Sequence, residues 1–557
     1  MLANWPTVDD LPESFRRNAQ VIQTSLDLEE HIKNIIARNP YVPPTGDRCP
    51  INDLPNELLA HIFFLGTYED DEDDEDDMYR DDVDVVEDDD SEDEQENGAL
   101  PNESVLPFQV LVSHVCAHWR TVAIEAPALW TAIRFADESP PFTRCQTWIE
   151  RSKTLSLDIE IDCTVLVEPS EPSEASSIEE DEEEIEQKPL LSLEDVAKIL
   201  SIITPHIARW RGLEVQVEEY TYMLLVTTAL SSLSSAPALE VLQLYHYGEE
   251  DEEDYDHFQP AHLRTPFPVL FSGDAPKLTQ IALWGVHIAW SHAKNTFLKN
   301  LKDLELAYHA EDVRPSWEEF QHIVVGSPEL DTLSLCASGP SGQPSEWQSE
   351  SPIELAGLKN LVLAFHTPTY ISSLIKLLHM PNVTSLALDF EADDFSTFAK
   401  QLATPRPGTN KSLLKGLEHL KISGLPCGKG TVDVMYEQLG NLRSINLKMN
   451  EDFLDGIFFE KLRVPIASPS STVPAAFYCP NLDTLTTSGI DGMTMRAFIE
   501  ARRKAGIPVK RVFMSEEDEV NINDEVWLRD QLETFELYEP SDEETDVDLM
   551  DDEMDVD

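Results

Sequence analysis

Basic side chains are scarce in this sequence of 557 residues: 40 lysines and arginines stand against 106 acidic residues, and the formal net charge is −66. Direct binding to nucleic acid needs basic surface patches, so this shortage argues against it. Most of the excess acid falls in four runs, at 69–96, 168–186, 249–256 and 516–557. Runs of like charge repel themselves and stay disordered. We therefore expect a folded body of ordinary charge that is interrupted by acidic loops and followed by an acidic tail.

The sequence also has few of the residues that build covalent frameworks or catalytic sites. Its seven cysteines include no CxxC pair, which argues against a disulfide framework and a structural zinc site. His114 and His118 have the spacing of zinc ligands on a helix, but no adjacent glutamate or third ligand in register accompanies them. Glycine-rich phosphate loops and nucleophile motifs are missing. We predict no catalytic residue, no metal site and no cofactor, so the chain is not expected to be an enzyme.

No apolar run approaches the length of a membrane span, and the first residues, MLANWPTVDD, lack the basic and apolar regions of a secretion signal. We therefore expect an intracellular protein, in the cytoplasm or the nucleus, without a membrane partner.

Two apolar stretches organise the first part of the chain. The first, INDLPNELLAHIFFL at 51–65, has a helix start at Asp53 and Pro55, and Gly66 predicts the helix end. The second, VLVSHVCAHWRTVAIEAPALWTAI at 110–133, predicts one helix that ends before Pro127. Short helices depend on tertiary packing. Their wide apolar faces belong either to the core of a small bundle or, in part, to a partner protein.

These stretches carry a resemblance to a known family. Leu54-Pro55-x-Glu57-Leu58-Leu59-x-x-Ile62-Phe63 resembles the start of an F-box. Val115-Cys116-x-x-Trp119-Arg120-x-x-Ala123, followed by Pro127-x-Leu129-Trp130, resembles its end, in the style of F-box proteins of mushroom-forming fungi. The family usually has a short connection between these halves, whereas an acidic insert at 67–105 separates them here. A flexible insertion of this kind costs little closure entropy.

The resemblance implies binding to the Skp-type adaptor of an SCF (Skp, cullin, F-box) ubiquitin ligase, and through it to a cullin. The residues that the resemblance assigns to adaptor binding are Leu54, Pro55, Leu58, Ile62, Val115, Cys116, Trp119, Arg120, Leu129 and Trp130.

A repeat follows, in which three apolar residues stand in the order apolar-x-x-apolar-x-apolar. Each copy predicts a short strand that pairs with the strand of the next copy, and the segments between copies are helical where they can be interpreted, as at 317–324 and 371–378. The array resembles the irregular leucine-rich repeats of F-box proteins. The copies begin at Trp210, Leu239, Leu278, Leu301, Leu330, Leu358, Val383, Leu417, Leu442 and Leu482.

Ligand binding by such an array would use the side chains between the repeat leucines, which point to the opposite face of each strand. These residues show no single chemistry, so the sequence does not identify the substrate. They are Val241, Gln243, Ala282, Glu305, Ser334, Val362, Ala387, Lys421 and Asn446.

The predicted fold class is therefore α/β, with an N-terminal helical F-box before an irregular leucine-rich-repeat solenoid. The predicted domains are a helical segment at 1–48, with its helix at 26–38, the split F-box at 49–135, the solenoid at 136–515, and a closing helix with an acidic disordered tail at 516–557. The closing helix is predicted from Trp527, Leu528, Leu532 and Phe535. The expected function is a substrate receptor of an SCF-type ligase. The alternative is a scaffold without ligase duty that binds basic proteins through its acidic runs. Ser91, Ser515 and Ser541 precede acids and suit an acid-directed kinase, unless they are simply solvated serines.

Overall fold

The structure is a computed structural model, and it describes residues 51, 54–77, 106–136, 138–164, 190–248, 256–264, 267–348, 351–390, 393–406, 411–448, 456–466 and 476–539. The helix predicted at 26–38, most of the acidic insert, the acidic run at 168–186, Ser91 and the tail with Ser541 lie outside these residues. The chain divides into two compact units: residues 1–133 with 143–157, and residues 134–142 with 158–557.

The first unit is helical. Its elements are α1 (Asn56–Asp77), α2 (Phe108–Val115), α3 (Ala117–Glu125), a short 3₁₀ turn (Pro127–Trp130) and α4 (Thr143–Arg151). Helix α1 contacts both α2 and α3. Leu59, Phe63, Val122 and Trp130 are buried, because the apolar sides of these short helices shield one another from water.

Two sequence-based boundaries in this unit are wrong. Helix α1 does not end at Gly66 but continues to Asp77, into the segment predicted as an insert. Glycine stands at 66 because helix α2 begins close by: a Cβ there would lie within 3.0 Å of three ring carbons of Phe108. The second stretch forms two helices rather than one, because Cys116 is extended and acts as the N-cap of α3.

The second unit is mixed α/β and is built on a large sheet. In the part of the chain that the structure describes, this sheet has fourteen strands, and they follow one another in sequence order. Strands β8 and β10, of two residues each, are not part of it and pair with each other. Every pairing from β3 to β16 in the main sheet is parallel. The strands are β1 (Ala132–Phe135), β2 (Leu157–Asp162), β3 (Trp210–Val217), β4 (Val241–His246), β5 (Gln280–Trp284), β6 (Asp303–Ala307), β7 (Thr332–Cys336), β8 (Ile353–Glu354), β9 (Asn360–Ala364), β10 (Leu378–His379), β11 (Ser385–Asp389), β12 (His419–Gly424), β13 (Ser444–Lys448), β14 (Thr484–Ser488), β15 (Arg511–Ser515) and β16 (Thr534–Tyr538).

The repeat pattern sets the register of this sheet. All ten repeat copies coincide with strands, and their second apolar residues are direct cross-strand partners. Leu242, for example, is paired with Leu213 on one side and Ile281 on the other. These residues are buried, because side chains alternate between the two faces of a strand and the leucines share one face. The arrangement is compatible with a repeat array.

Helices occupy several of the segments between strands, and the helices predicted at 317–324 and 371–378 are confirmed apart from Leu378, which is in β10. Ser316 caps one of them, with its hydroxyl accepting the N–H of Glu319 at 3.3 Å. The helices are α5 (Leu193–Ile203), α6 (Tyr220–Ser232), α7 (Trp317–Val325), α8 (Pro368–Leu377), α9 (Ser396–Ala403), α10 (Lys429–Tyr436), α11 (Gly456–Arg463), α12 (Gly492–Lys504) and α13 (Ile522–Gln531).

The C-terminal end of the sheet extends beyond the predicted boundary at 515. Helix α13 confirms the predicted closing helix, but Phe535 belongs to β16, which pairs with β15. Ser515 is fully buried at the end of β15, so in the folded chain it is neither accessible to a kinase nor a solvated serine.

Candidate functional site

Helix α1 has apolar side chains on two neighbouring faces, one buried and one exposed. Leu59 and Phe63 are buried in the unit, whereas Leu58, Ile62 and Leu65 are 53%, 44% and 54% exposed. The exposed three stand four and three residues apart, so they share one face of the helix. A surface helix normally has a polar outer face. The outer face of α1 therefore has the character of a protein-binding surface.

The joint between α2 and α3 has an exposed apolar side chain of its own. Val115, the last residue of α2, is 61% exposed. The Sγ of the neighbouring Cys116 accepts the N–H of Trp119 at 3.4 Å, and the Trp119 ring lies 5.0 Å from the ring of Phe63. Arg120 is exposed, and its Nε donates to the carbonyl of Ser113 at 3.0 Å. These contacts stabilise the bend between α2 and α3, where Val115 is exposed.

The remaining residues assigned to adaptor binding fall into two classes. Leu54 and Pro55 precede α1, where Leu54 is half-buried and Pro55 is exposed. Leu129 and Trp130 are buried, and the indole N–H of Trp130 donates to the carbonyl of Ala123 at 2.9 Å. A fully buried side chain does not touch a partner, so these two residues stabilise the unit rather than form its surface.

Two residues outside the predicted set contribute to the same helices. Leu65 is exposed on the outer face of α1, and Leu111 is exposed on α2. The sequence held a signal for both, because Leu65 continues the spacing of Leu58 and Ile62, and Leu111 stands four residues before Val115.

In the second unit, the side chains between the repeat leucines share one face of the sheet, which we call the open face. The register pairs Gln243, Ala282, Glu305, Ser334 and Val362 in one row. The same row continues through Ala387, Lys421 and Asn446. Gln243, Glu305 and Asn446 of this row are half-buried, and the others, including Lys421, are buried. Val241 is half-buried on the same face.

The open face also carries an aromatic cluster that the sequence reasoning missed. Tyr245 and Trp284 are buried together with Ala307, Cys336 and Ala364, in the row next to Glu305. Tyr247 and Phe365 pack against this cluster. The sequence held a signal for this cluster in the residue that directly follows the third apolar position of each copy. This residue is aromatic at 245 and 284 and small in the next three copies.

The described ranges contain no cluster of three or more histidine, cysteine, aspartate or glutamate residues that could hold a metal ion. None of the six cysteines described forms a disulfide. No helix in these ranges is both long enough and apolar enough to cross a membrane.

Comparison with protein-family models gives no match for this chain, and comparison with curated proteins gives none either. The roles of the two surfaces are therefore inferred from their own residues.

Proposed function

We propose that this chain is a substrate-receptor subunit of an SCF-type ubiquitin ligase. In this proposal the first unit is an F-box that binds a Skp-type adaptor, and the second is a divergent leucine-rich-repeat solenoid that binds a protein substrate. The chain itself catalyses no reaction: it holds the substrate near the enzyme that transfers ubiquitin, which raises the effective concentration of the reacting groups.

The observation that carries this proposal is the exposed apolar face of α1, which lies within the motif that resembles the start of an F-box. The buried face of the same helix already supplies the core of the unit through Leu59 and Phe63. Leu58, Ile62 and Leu65 are thus not needed for the core, and water makes their exposure unfavourable. A partner that covers them explains why the sequence keeps three large apolar residues on that face.

The test is co-expression with a fungal Skp-type adaptor, followed by size-exclusion chromatography in moderate salt. Val115→Asp should abolish co-elution, because a carboxylate buried in an apolar interface loses its hydration without a partner charge. The matched control is Val526→Asp on α13, since Val115 and Val526 are both 61% exposed valines in helices. Circular dichroism should be unchanged in both variants.

If Val115→Asp co-elutes with the adaptor as the unaltered chain does, Val115 is not part of the adaptor site. If the unaltered, folded chain fails to co-elute, the ligase role is refuted. Binding through acidic runs would instead weaken steeply as salt rises, whereas an apolar contact persists.

A further inference from the structure

The open face of β4–β9 carries a compact aromatic surface. Tyr245, Trp284, Ala307, Cys336 and Ala364 are successive cross-strand partners on five neighbouring strands. The small residues form a floor beside the large rings. Together with Tyr247, Tyr308 and Phe365, whose rings border this floor or each other, these residues make up what we call the aromatic surface.

Trp284 is the centre of this surface. Its ring centroid lies 5.2 Å from Tyr245, 5.9 Å from Tyr247 and 5.7 Å from Tyr308, and in each pair the rings meet edge to face. Tyr308 in turn lies 6.2 Å from Phe365. Tyr308 is 39% exposed, while Tyr247 and Phe365 are half-buried, so their rings remain accessible to a ligand.

Carboxylates stand beside these rings. The indole N–H of Trp284 donates to Oε1 of Glu305 at 2.6 Å. Glu214 lies in the same row as Glu305, with Gln243 and Ala282 between them. Burial, and then the negative fields of Glu305 and Glu214, raise the pKa of the Tyr245 hydroxyl well above its usual range. Both carboxylates therefore contribute negative electrostatic potential at the aromatic surface.

Charge on the open face is unevenly distributed. The in-register positions of β3 to β9 include three acids, Glu214, Asp303 and Glu305, and no lysine or arginine. Bases on this face stand on strands outside this range: Arg134 on β1, which pairs with Glu160, and Lys421, Lys448 and Arg511 on later strands. The aromatic surface is therefore complementary to a cation.

The backbone places two of the rings at an energetic cost. Tyr308 and Phe365 follow β6 and β9 directly and have φ values of 51° and 52°, in the left-handed region that favours glycine. At the equivalent position after β5 the chain has Gly285, with φ of 64°. Ala337, at the equivalent position after β7, has φ of 44°, so the left-handed turn recurs along the repeats, and at 308 and 365 it carries an aromatic side chain.

We propose that the aromatic surface binds an arginine-bearing segment of a partner polypeptide. The planar guanidinium stacks on an exposed ring and also fits carboxylate oxygens, so arginine suits a site that has both. This inference deepens the proposed function, on which it rests for the role of the bound segment as a substrate. The binding itself requires no adaptor.

The probe is a fluorescein-labelled peptide of alternating arginine and glycine, titrated with the full chain at about 0.15 M salt, where exposed charges beyond a Debye length are largely screened. A second peptide has citrulline, the neutral isostere, in place of arginine. Fluorescence anisotropy should show binding of the arginine peptide and at least tenfold weaker binding of the citrulline peptide.

Two variants of the chain locate the site. Glu305→Gln keeps an oxygen that can accept the Trp284 N–H but removes the charge, and it should weaken binding of the arginine peptide about tenfold, or about 1.4 kcal/mol. Tyr308→Gly removes the exposed ring and relieves the left-handed backbone, so the fold should be at least as stable. It should also weaken binding about tenfold.

The matched control is Glu536→Gln, because Glu536 lies in the same row as Glu305 but eight strands farther along the sheet. This variant should bind as the unaltered chain does. If the arginine peptide does not bind, if the citrulline peptide binds equally well, or if Glu305→Gln and Tyr308→Gly leave affinity unchanged, the inference is overturned. In the last case the acidic runs hold the peptide.

Co-elution of the same variants with the adaptor separates the two proposals. Loss of peptide binding with adaptor capture intact overturns this inference alone. Peptide binding without adaptor capture leaves the aromatic surface as a binding site and removes the ligase role.

Discussion

Arg502 gives the sharpest test of how the C-terminal repeats are held together. It is 0% exposed on α12, and its guanidinium donates to the carbonyls of Tyr478 at 3.1 Å and Cys479 at 2.6 Å. These carbonyls lie in the segment that leads into β14. Arg502→Met fills a similar length of space but leaves both carbonyls without this donor.

The expected loss in the free energy of unfolding follows from these two contacts. A buried polar group left without its partner costs about 1–3 kcal/mol, and two such groups set the upper range. Removing a buried charge offsets part of this cost. We expect a net loss of about 2–4 kcal/mol for Arg502→Met. The control is Lys504→Met on the same helix, whose side chain is 77% exposed and pairs with Glu500. An exposed pair contributes little, so this change should stay within about 0.5 kcal/mol.

Hydrogen exchange is the suitable assay, because stability in a repeat array is local to neighbouring repeats. Amides of β14, β15 and α12 should lose protection in Arg502→Met, while those of β4 to β9 keep theirs. Equal protection in Arg502→Met and Lys504→Met would refute the reasoning. Loss of protection throughout the sheet would show that the second unit unfolds as a whole rather than repeat by repeat.

Two further predictions concern the helical unit and the response to acid. Gly66→Ala should gain about 1 kcal/mol of helix propensity but cost about 1–3 kcal/mol by overpacking against Phe108. Hydrogen exchange in α1 and α2 should therefore be faster in Gly66→Ala. The control is Gly430→Ala, whose added Cβ would meet nothing within 4 Å and which should leave this exchange unchanged. Burial lowers the pKa of His309 to about 3 in the folded chain, whereas in the unfolded chain it is about 6.5. Between these two pH values the unfolded chain therefore binds more protons than the folded chain. The melting temperature of the second unit should therefore fall as the pH drops from 7 to 5, and fall less in His309→Gln; an unchanged pH dependence in that variant would contradict the assignment.

The sheet was largely predictable, because its determinants are local and repeated. Each copy places three apolar residues at fixed spacing, so one strand and the face it buries can be derived from a few consecutive residues. Repetition then gives the order and the register, as the pairing of Leu242 with Leu213 and Ile281 shows. The prediction stopped too early at 515, although Leu532, Phe535 and Leu537 have the spacing of the earlier copies, because Phe535 was assigned to the closing helix instead of a strand.

The helical unit was predicted less well, because its details depend on contacts between distant residues. Gly66 resembles a helix end in the local sequence, yet its reason is the ring of Phe108, which lies beyond the acidic insert. Likewise, Val115 and Trp130 belong to the same stretch that resembles the end of an F-box, but one is exposed and the other fully buried. Spacing along a helix identifies an apolar face but does not decide which neighbour covers it.

By itself, then, the sequence determined the class of fold, the order of the strands and the helices that bear the F-box-like motif, since periodicity and caps act over a few residues. Only the tertiary structure decided which apolar residues stay exposed on α1 and α2. It also decided that Tyr245, Trp284 and Tyr308, which come from three different repeats, form one surface with Glu305. The reason is physical: parallel pairing brings together residues that are tens of positions apart, and the chemistry of the resulting surface belongs to no single repeat.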